Sequence, residues 1–221
     1  MIVAIDGPAG SGKSTVARMT AHKLGFLYID TGAMYRAVTF KALEKKVDLS
    51  DEAQLVELAR DSDIRLVGGH DGALTVYLDG RDVSKEIREP VITRYVSDIA
   101  KVKGVREAMV LLQRRMGRDN NAVLEGRDIT TVVFPNAEKK FYIDADFAER
   151  ARRRHKELLE AGKDITLKEV EDDLRNRDHI DSSRKVAPLK KAADAQVIDT
   201  TRMTIDQVVN TLLTEIKDTA H

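Results

Sequence analysis

The segment Gly7-Pro8-Ala9-Gly10-Ser11-Gly12-Lys13-Ser14 constrains this chain more than any other. It matches the pattern G-x-x-x-x-G-K-[S/T] at every fixed position, in the context that pattern requires. Residues 2–5 before it are small or β-branched and apolar, as in a strand covered on both faces. Residues 14–24 after it read as a helix that Gly25 closes. Strand, glycine loop and helix in that order form a phosphate cradle. The glycines let successive N–H groups turn inward, and the helix N-terminus adds partial positive charge. Residues 7–15, ending at Thr15, are therefore expected to hold ATP, with Lys13 on the β- and γ-phosphates and the Ser14 hydroxyl on Mg²⁺. The loop fixes a donor and leaves the phosphate acceptor open.

The rest of the chain alternates short strands and helices. Strands are expected at residues 26–29, 122–124, 140–143 and 196–198, each running into an acid: Asp30, Glu125, Asp144 and Asp199. Helices are expected at 34–45, at 51–60 with Ser50 as N-cap, and onward to about 118. Capping boxes are expected at Asp146/Glu149, Thr166/Glu169 and Thr204/Gln207. Five short strands separated by helices imply a parallel sheet with helices on both faces, and ligands in such sheets sit beyond the strands' carboxyl ends. Residues 64–67 and 74–78, joined by Gly68-Gly69-His70-Asp71-Gly72, read instead as an antiparallel hairpin. The expectation is one α/β domain over 1–221, with a small inserted β lobe.

Composition excludes several classes. Thirty-seven basic residues balance 37 acidic ones, so bulk attraction to nucleic acid or anionic membrane is not expected. The absence of cysteine rules out thiol nucleophiles and thiolate-held metal. No secretory signal or membrane span is visible, which makes a cytoplasmic protein the expectation, and no apolar surface stripe argues against a monomer. The five histidines show no ligand spacing and are read as surface or packing residues.

No Asn-Lys-x-Asp occurs, which argues against a guanine-nucleotide switch. ATP and a nucleoside monophosphate brought together crowd several negative charges into a small volume, and arginines are needed to offset them. Arg36, Arg127, Arg153, Arg177 and Arg184 lie on separate expected loops or helix ends. A small-molecule kinase is favoured over a nucleotide-binding regulator without turnover, which would have no need of this set.

The segments Asp30-Thr31-Gly32-Ala33-Met34-Tyr35-Arg36, Glu125-Gly126-Arg127-Asp128 followed by Val132-Val133-Phe134-Pro135, and Arg177-Asp178-x-x-Asp181-x-x-Arg184-x-Val186-Ala187-Pro188-Leu189 resemble the bacterial cytidylate kinase family in order and spacing. The resemblance runs from the phosphate loop to the last helix. It implies a P-loop kinase fold, with ATP as donor, CMP and dCMP as acceptors and Mg²⁺ as cofactor. It implies further that residues 63–100 form the acceptor-binding insert and 150–184 the lid. By position, Thr31, Tyr35, Arg36, Arg127 and Arg184 match residues around the acceptor phosphate. Ser97, Arg106 and Asp128 match those that read cytosine, and Arg177 and Asp181 those near the sugar. Arg153 and Arg154 fall in the lid over ATP, and Lys13, Arg36, Arg127, Arg153 and Arg184 form the catalytic set. On the residues alone, Ser97 also reads as an ordinary polar helix residue, and Asp128 as a structural ion-pair partner. UMP or dTMP remains the competing acceptor.

Overall fold

The computed structural model describes residues 1–69 and 73–217. Five parallel strands form the central sheet: β1 (Ile2–Asp6), β2 (Leu27–Asp30), β6 (Ala122–Gly126), β7 (Lys139–Asp144) and β8 (Gln196–Asp199). Their order is β2-β6-β1-β7-β8, which puts the strand before the phosphate loop in the middle. Alternation along β1 explains the two-sided core. Ala4, with Ile29 and Leu124, packs under helices α2 (Thr31–Glu44), α3 (Glu52–Arg60), α4 (Pro90–Ala100) and α5 (Lys103–Arg118). Val3 and Ile5, with Val123, Phe141 and Ile143, pack under α1 (Lys13–Leu24) and α8 (Ile205–Lys217). Ala9 of the phosphate loop joins Ala151, Val170 and Leu174 in a third, smaller cluster against α6 (Phe147–Glu160) and α7 (Leu167–Ser183).

The inserted lobe is a separate antiparallel sheet of three strands, β3 (Ile64–Gly68), β4 (Leu74–Leu78) and a short β5 (Arg81–Asp82). The sequence pointed to the first two alone, because β5 is only two exposed residues long. Residues 70–72 of the expected hairpin turn, and His221, lie outside the described residues. Buried Ile64, Val76 and Leu78 seat the lobe on the α2 side of the core. Lys41 of α2 adds an ion pair to Asp79 at 2.6 Å.

Local corrections have local causes. The Asp51 side chain, not that of Ser50, caps α3 by accepting from Gln54 N, because Ser50 is held in a turn by Asp48. The α2 helix begins at Thr31 rather than 34, since Asp30 accepts from Ala33 N and draws the Thr31-Gly32-Ala33 segment into the first turn. Asp146 caps α6 without a side-chain bond, and Glu149 is instead taken by Arg152 and Arg153. The boxes at Thr166/Glu169 and Thr204/Gln207 form. His155 packs through Ile165 O at 2.9 Å, while His22 and His179 are exposed. Among the described residues, no helix is long and apolar enough to cross a membrane.

Candidate active site

The site lies at the carboxyl ends of β1, β2 and β6. Gly7 leaves β1 so close to β7 that a Cβ would stand 2.1 Å from Ile143 O. Gly10 and Gly12 take left-handed backbone at φ 75° and 86°, which glycine adopts without a steric penalty. Gly12 is the N-cap of α1, so the loop runs straight into the helix N-terminus. The loop is braced from the other side by Arg150, which donates to Ala9 O at 2.9 Å and pairs with Asp178 of α7 at 2.8 Å.

Lys13 is buried beneath this loop, its Nζ donating to Pro8 O at 3.0 Å. Burial, and then repulsion from Arg127, pushes its pKa down to about 7. The Ser14 hydroxyl donates to the Glu125 carboxylate at the end of β6. Burial and the neighbouring Asp30, its register partner on β2, push Glu125 up, while Lys13 and Ser14 pull the other way. The Ser14 hydroxyl and the Glu125 and Asp30 carboxylates beside the loop are hard oxygen donors, the type that fits Mg²⁺. The adjacent Asp30 also pairs with Arg36 at 3.0 Å while capping α2.

Across the site, Arg127 Nε donates to Asp181 at 2.8 Å. Burial would raise the Asp181 carboxyl, but Arg127 and Arg184 outweigh it and hold the group low. Arg184 lies between two carboxylates, 3.8 Å from Asp181 and 3.9 Å from Asp128, and donates to Ala187 O at 2.7 Å. Arg106 of α5 is bound to Asp128, donates to Ala100 O at 3.0 Å, and covers the Tyr35 ring at 5.4 Å. Tyr35 is buried and its hydroxyl is pushed up to about 12, mainly by that burial. Thr31 donates to Glu125 O at 2.7 Å, and Ser97 is buried on α4.

Two further arginines have neighbours that their positions in the sequence did not reveal. Arg177 is influenced by Arg127, Asp181, Arg154 and Arg36, and its pKa is pulled down to about 10 by burial and then by Arg127. Its surroundings are thus those of the phosphate cluster as much as of a sugar. Arg153 is held by Thr200 at the end of β8, through Oγ1 at 3.0 Å and the carbonyl at 2.7 Å, and by Glu149 at 2.9 Å. It stands beside Gly12, where an added Cβ would be 3.8 Å from its Nη1.

Sequence reasoning passed over two residues. Arg150 was visible only as one of a run of arginines, and nothing in that run marks it as the one that turns inward. Asp6 is wholly buried and accepts from Ile129 N, Thr130 N and Thr130 Oγ1 at 2.9, 2.8 and 2.6 Å. A buried acid next to the loop, in an otherwise apolar strand, was the signal available.

The nitrogens Arg36 Nε, Arg106 Nε, Arg177 Nε and Arg184 Nη2 are buried without a hydrogen-bond partner. Buried donors are rarely left unpaired, so four of them on one cluster mark a place for acceptor-rich, anionic groups. The arrangement can hold two phosphate-bearing molecules end to end, one on the loop and one among the arginines.

Comparison with known proteins identifies the family. The sequence profile described as cytidylate kinase matches residues 3–218. The cytidylate kinase of Desulforamulus reducens is 51% identical over 215 residues, covering 97% of this chain and 96% of that one. That of Shouchella clausii is 50% identical over 216 residues, covering 98% and 96%. Among solved structures, an uncharacterized protein from Eubacterium ventriosum superposes with a TM-score of 0.54 at 12% identity, over 98% of both chains, which supports the fold alone. With the profile spanning nearly its whole length and half its residues shared with such relatives, the chain belongs to the cytidylate kinase family.

Proposed function

We propose that the residues gathered at the strand ends carry out the cytidylate kinase reaction as a transfer of the γ-phosphate of ATP to CMP or dCMP, giving ADP and CDP or dCDP. The observation that carries this reading is the set of buried arginine nitrogens left without a hydrogen-bond partner on Arg36, Arg106, Arg177 and Arg184. Loop residues 7–15 hold the ATP phosphates, with Lys13 on the β and γ groups. Arg36, Arg127 and Arg184, with Thr31 and Tyr35, hold the acceptor phosphate. Asp128 accepts from the cytosine amine while Arg106 and Ser97 donate to its ring acceptors. Asp181 and Arg177 take the sugar side, and Arg177, lying among Arg127, Arg36 and Arg154, also neutralises phosphate.

No side-chain base is required. The nucleophile is a phosphate oxygen whose second pKa is about 6, so it is already ionised at neutral pH. The protein's task is to align two anions and neutralise the charge between them. Mg²⁺ held by Ser14, with Glu125 and Asp30 behind it, would supply further positive charge to the donor phosphates. Residues 63–100 serve as the acceptor-binding insert and 150–184 as the lid, within a single domain. Arg153 and Arg154 approach ATP from the lid, and closure excludes water that would otherwise receive the phosphate.

Steady-state assays with CMP, dCMP, UMP, AMP and dTMP test the assignment. CMP and dCMP should give the highest kcat/KM; a ranking with CMP below UMP or dTMP defeats it. ATP bound tightly but turned over with none of the acceptors would favour a regulator instead.

A further inference from the structure

We propose that Asp6 is a positioning residue for the acceptor site, holding the Arg127–Asp128 turn in place from beneath. This rests on the assignment of that turn to CMP. The phosphate loop itself does not need an acid at this place, since its phosphate contacts come from backbone N–H groups, Lys13 and Ser14. Asp6 is nonetheless an acid, the last residue of β1, and wholly buried.

Its three hydrogen bonds all go to one short stretch. Ile129 and Thr130 are the first two residues of a π-helical turn, Ile129–Val133, that directly follows Asp128. N–H groups at the start of such a turn have no partner within it. The Asp6 carboxylate supplies one from a neighbouring strand, more than 100 residues away in sequence. It thus acts as a long-range cap. A carboxylate can accept all three bonds at once, and charge strengthens each.

The upstream side of the same turn is fixed independently. Thr31 Oγ1 donates to Glu125 O, and a Cβ on Gly126 would stand 2.7 Å from both Thr31 Oγ1 and Ile129 Cδ1. Residues 126–128 are therefore clamped between Thr31 above and Asp6 below. Both ends of the segment that carries Arg127 to Asp181 and Asp128 to Arg106 are thus anchored. Other titratable groups that act on Asp6 or respond to it are Asp128 and, across β7, Tyr142. Both disfavour or are disfavoured by its charge, so the carboxylate is not there for ion pairing. Burial itself pushes its pKa up to about 6, a cost to the fold that the three hydrogen bonds only partly offset.

Asp6→Asn keeps the shape but sets an amide donor against N–H donors, and Thr130→Val removes only the hydroxyl bond. KM and kcat would be measured for CMP and UMP, with ATP affinity measured separately by calorimetry. For Asp6→Asn, CMP KM should rise about tenfold or more and the preference for CMP over UMP should shrink, while ATP affinity stays within about twofold. Thr130→Val should shift the same quantities in the same direction by about two- to fivefold. Equal losses of ATP and CMP affinity, or an unchanged CMP KM in the folded variants, would overturn the proposal. Should Asp6→Asn fail to fold, Thr130→Val decides by the same criteria. A wild-type protein that does not use CMP would instead defeat the acceptor assignment.

Discussion

Asp128→Asn changes one atom and separates two roles that the same carboxylate can play. Asp128 is 4% exposed, bound to Arg106, itself 3% exposed, and 3.9 Å from Arg184. Breaking a buried ion pair by removing one partner costs about 3–5 kcal/mol when nothing replaces it. Here much is retained, because asparagine keeps one acceptor oxygen and Arg106 still reaches Ala100 O at 3.0 Å. A loss of about 2 kcal/mol is therefore expected, close to one charged hydrogen bond. For a chain of this size that lowers Tm by roughly 4–8 °C. Specificity should move further. The cytosine 4-position presents an amine, which a carboxylate accepts, whereas uracil presents a carbonyl, towards which an asparagine amide can donate. Mispairing of a buried polar group should reduce kcat/KM for CMP about 100-fold and narrow or reverse the preference over UMP, with ATP affinity unchanged. Thermal denaturation and coupled ADP-release assays with both acceptors supply the readouts. A fall in Tm with an unchanged CMP-to-UMP ratio would refute the reasoning and leave Asp128 as a structural counter-ion of Arg106.

The remaining predictions probe separate parts of the structure. Lys13→Met should cut turnover about 100-fold or more, yet raise Tm at neutral pH, because it removes a buried amine crowded by Arg127 and Arg177; a lowered Tm contradicts the electrostatic part. Asp6 titrates near 6 in the fold against 3.8 outside it, so its ionisation opposes folding, and stability drawn from it is full below 3.8 and lost as pH rises through 6. Urea titrations should then show wild type gaining about 2 kcal/mol relative to Asp6→Asn between pH 7 and pH 4. Gly104→Ala places a Cβ 2.5 Å from Val56 Cγ2, between α5 and α3, and should cost about 1–3 kcal/mol in stability while leaving CMP KM unchanged.

The parts of the fold legible in the sequence are those governed by local chemistry. The strand before Gly7, the left-handed glycines of the loop and the Thr166/Glu169 capping box each depend on residues a few places apart. Pairing order was not legible, because β6 enters between β1 and β2 only after more than 90 intervening residues. The site divides similarly. Arg36, Arg127, Asp128, Asp181 and Arg184 were accessible through motifs of fixed spacing. Their mutual pairing was not, since Arg127–Asp181 and Arg106–Asp128 join segments 54 and 22 residues apart. Arg150 escaped notice for the same reason, as its partners Ala9 and Asp178 lie on elements that only tertiary packing brings to α6.

The pairing of acids with arginines has a consequence for how the site works. In the structure the carboxylates hold the arginines: Asp30 takes Arg36, Asp181 takes Arg127, and Asp128 takes Arg106 with Arg184 nearby. The acids do not satisfy every donor, since Arg36, Arg106 and Arg184 each retain a buried nitrogen without a hydrogen-bond partner. An arginine cluster without such acids would repel itself, and Arg177 shows the strain that remains, its pKa drawn down to about 10 by burial and by Arg127. Acids that fully neutralised the cluster would leave nothing for a phosphate to bind. On the proposed assignment, partial pairing holds the forks in position at a tolerable electrostatic cost and keeps donors free for the acceptor, which is what preorganised stabilisation of a phosphoryl transfer requires.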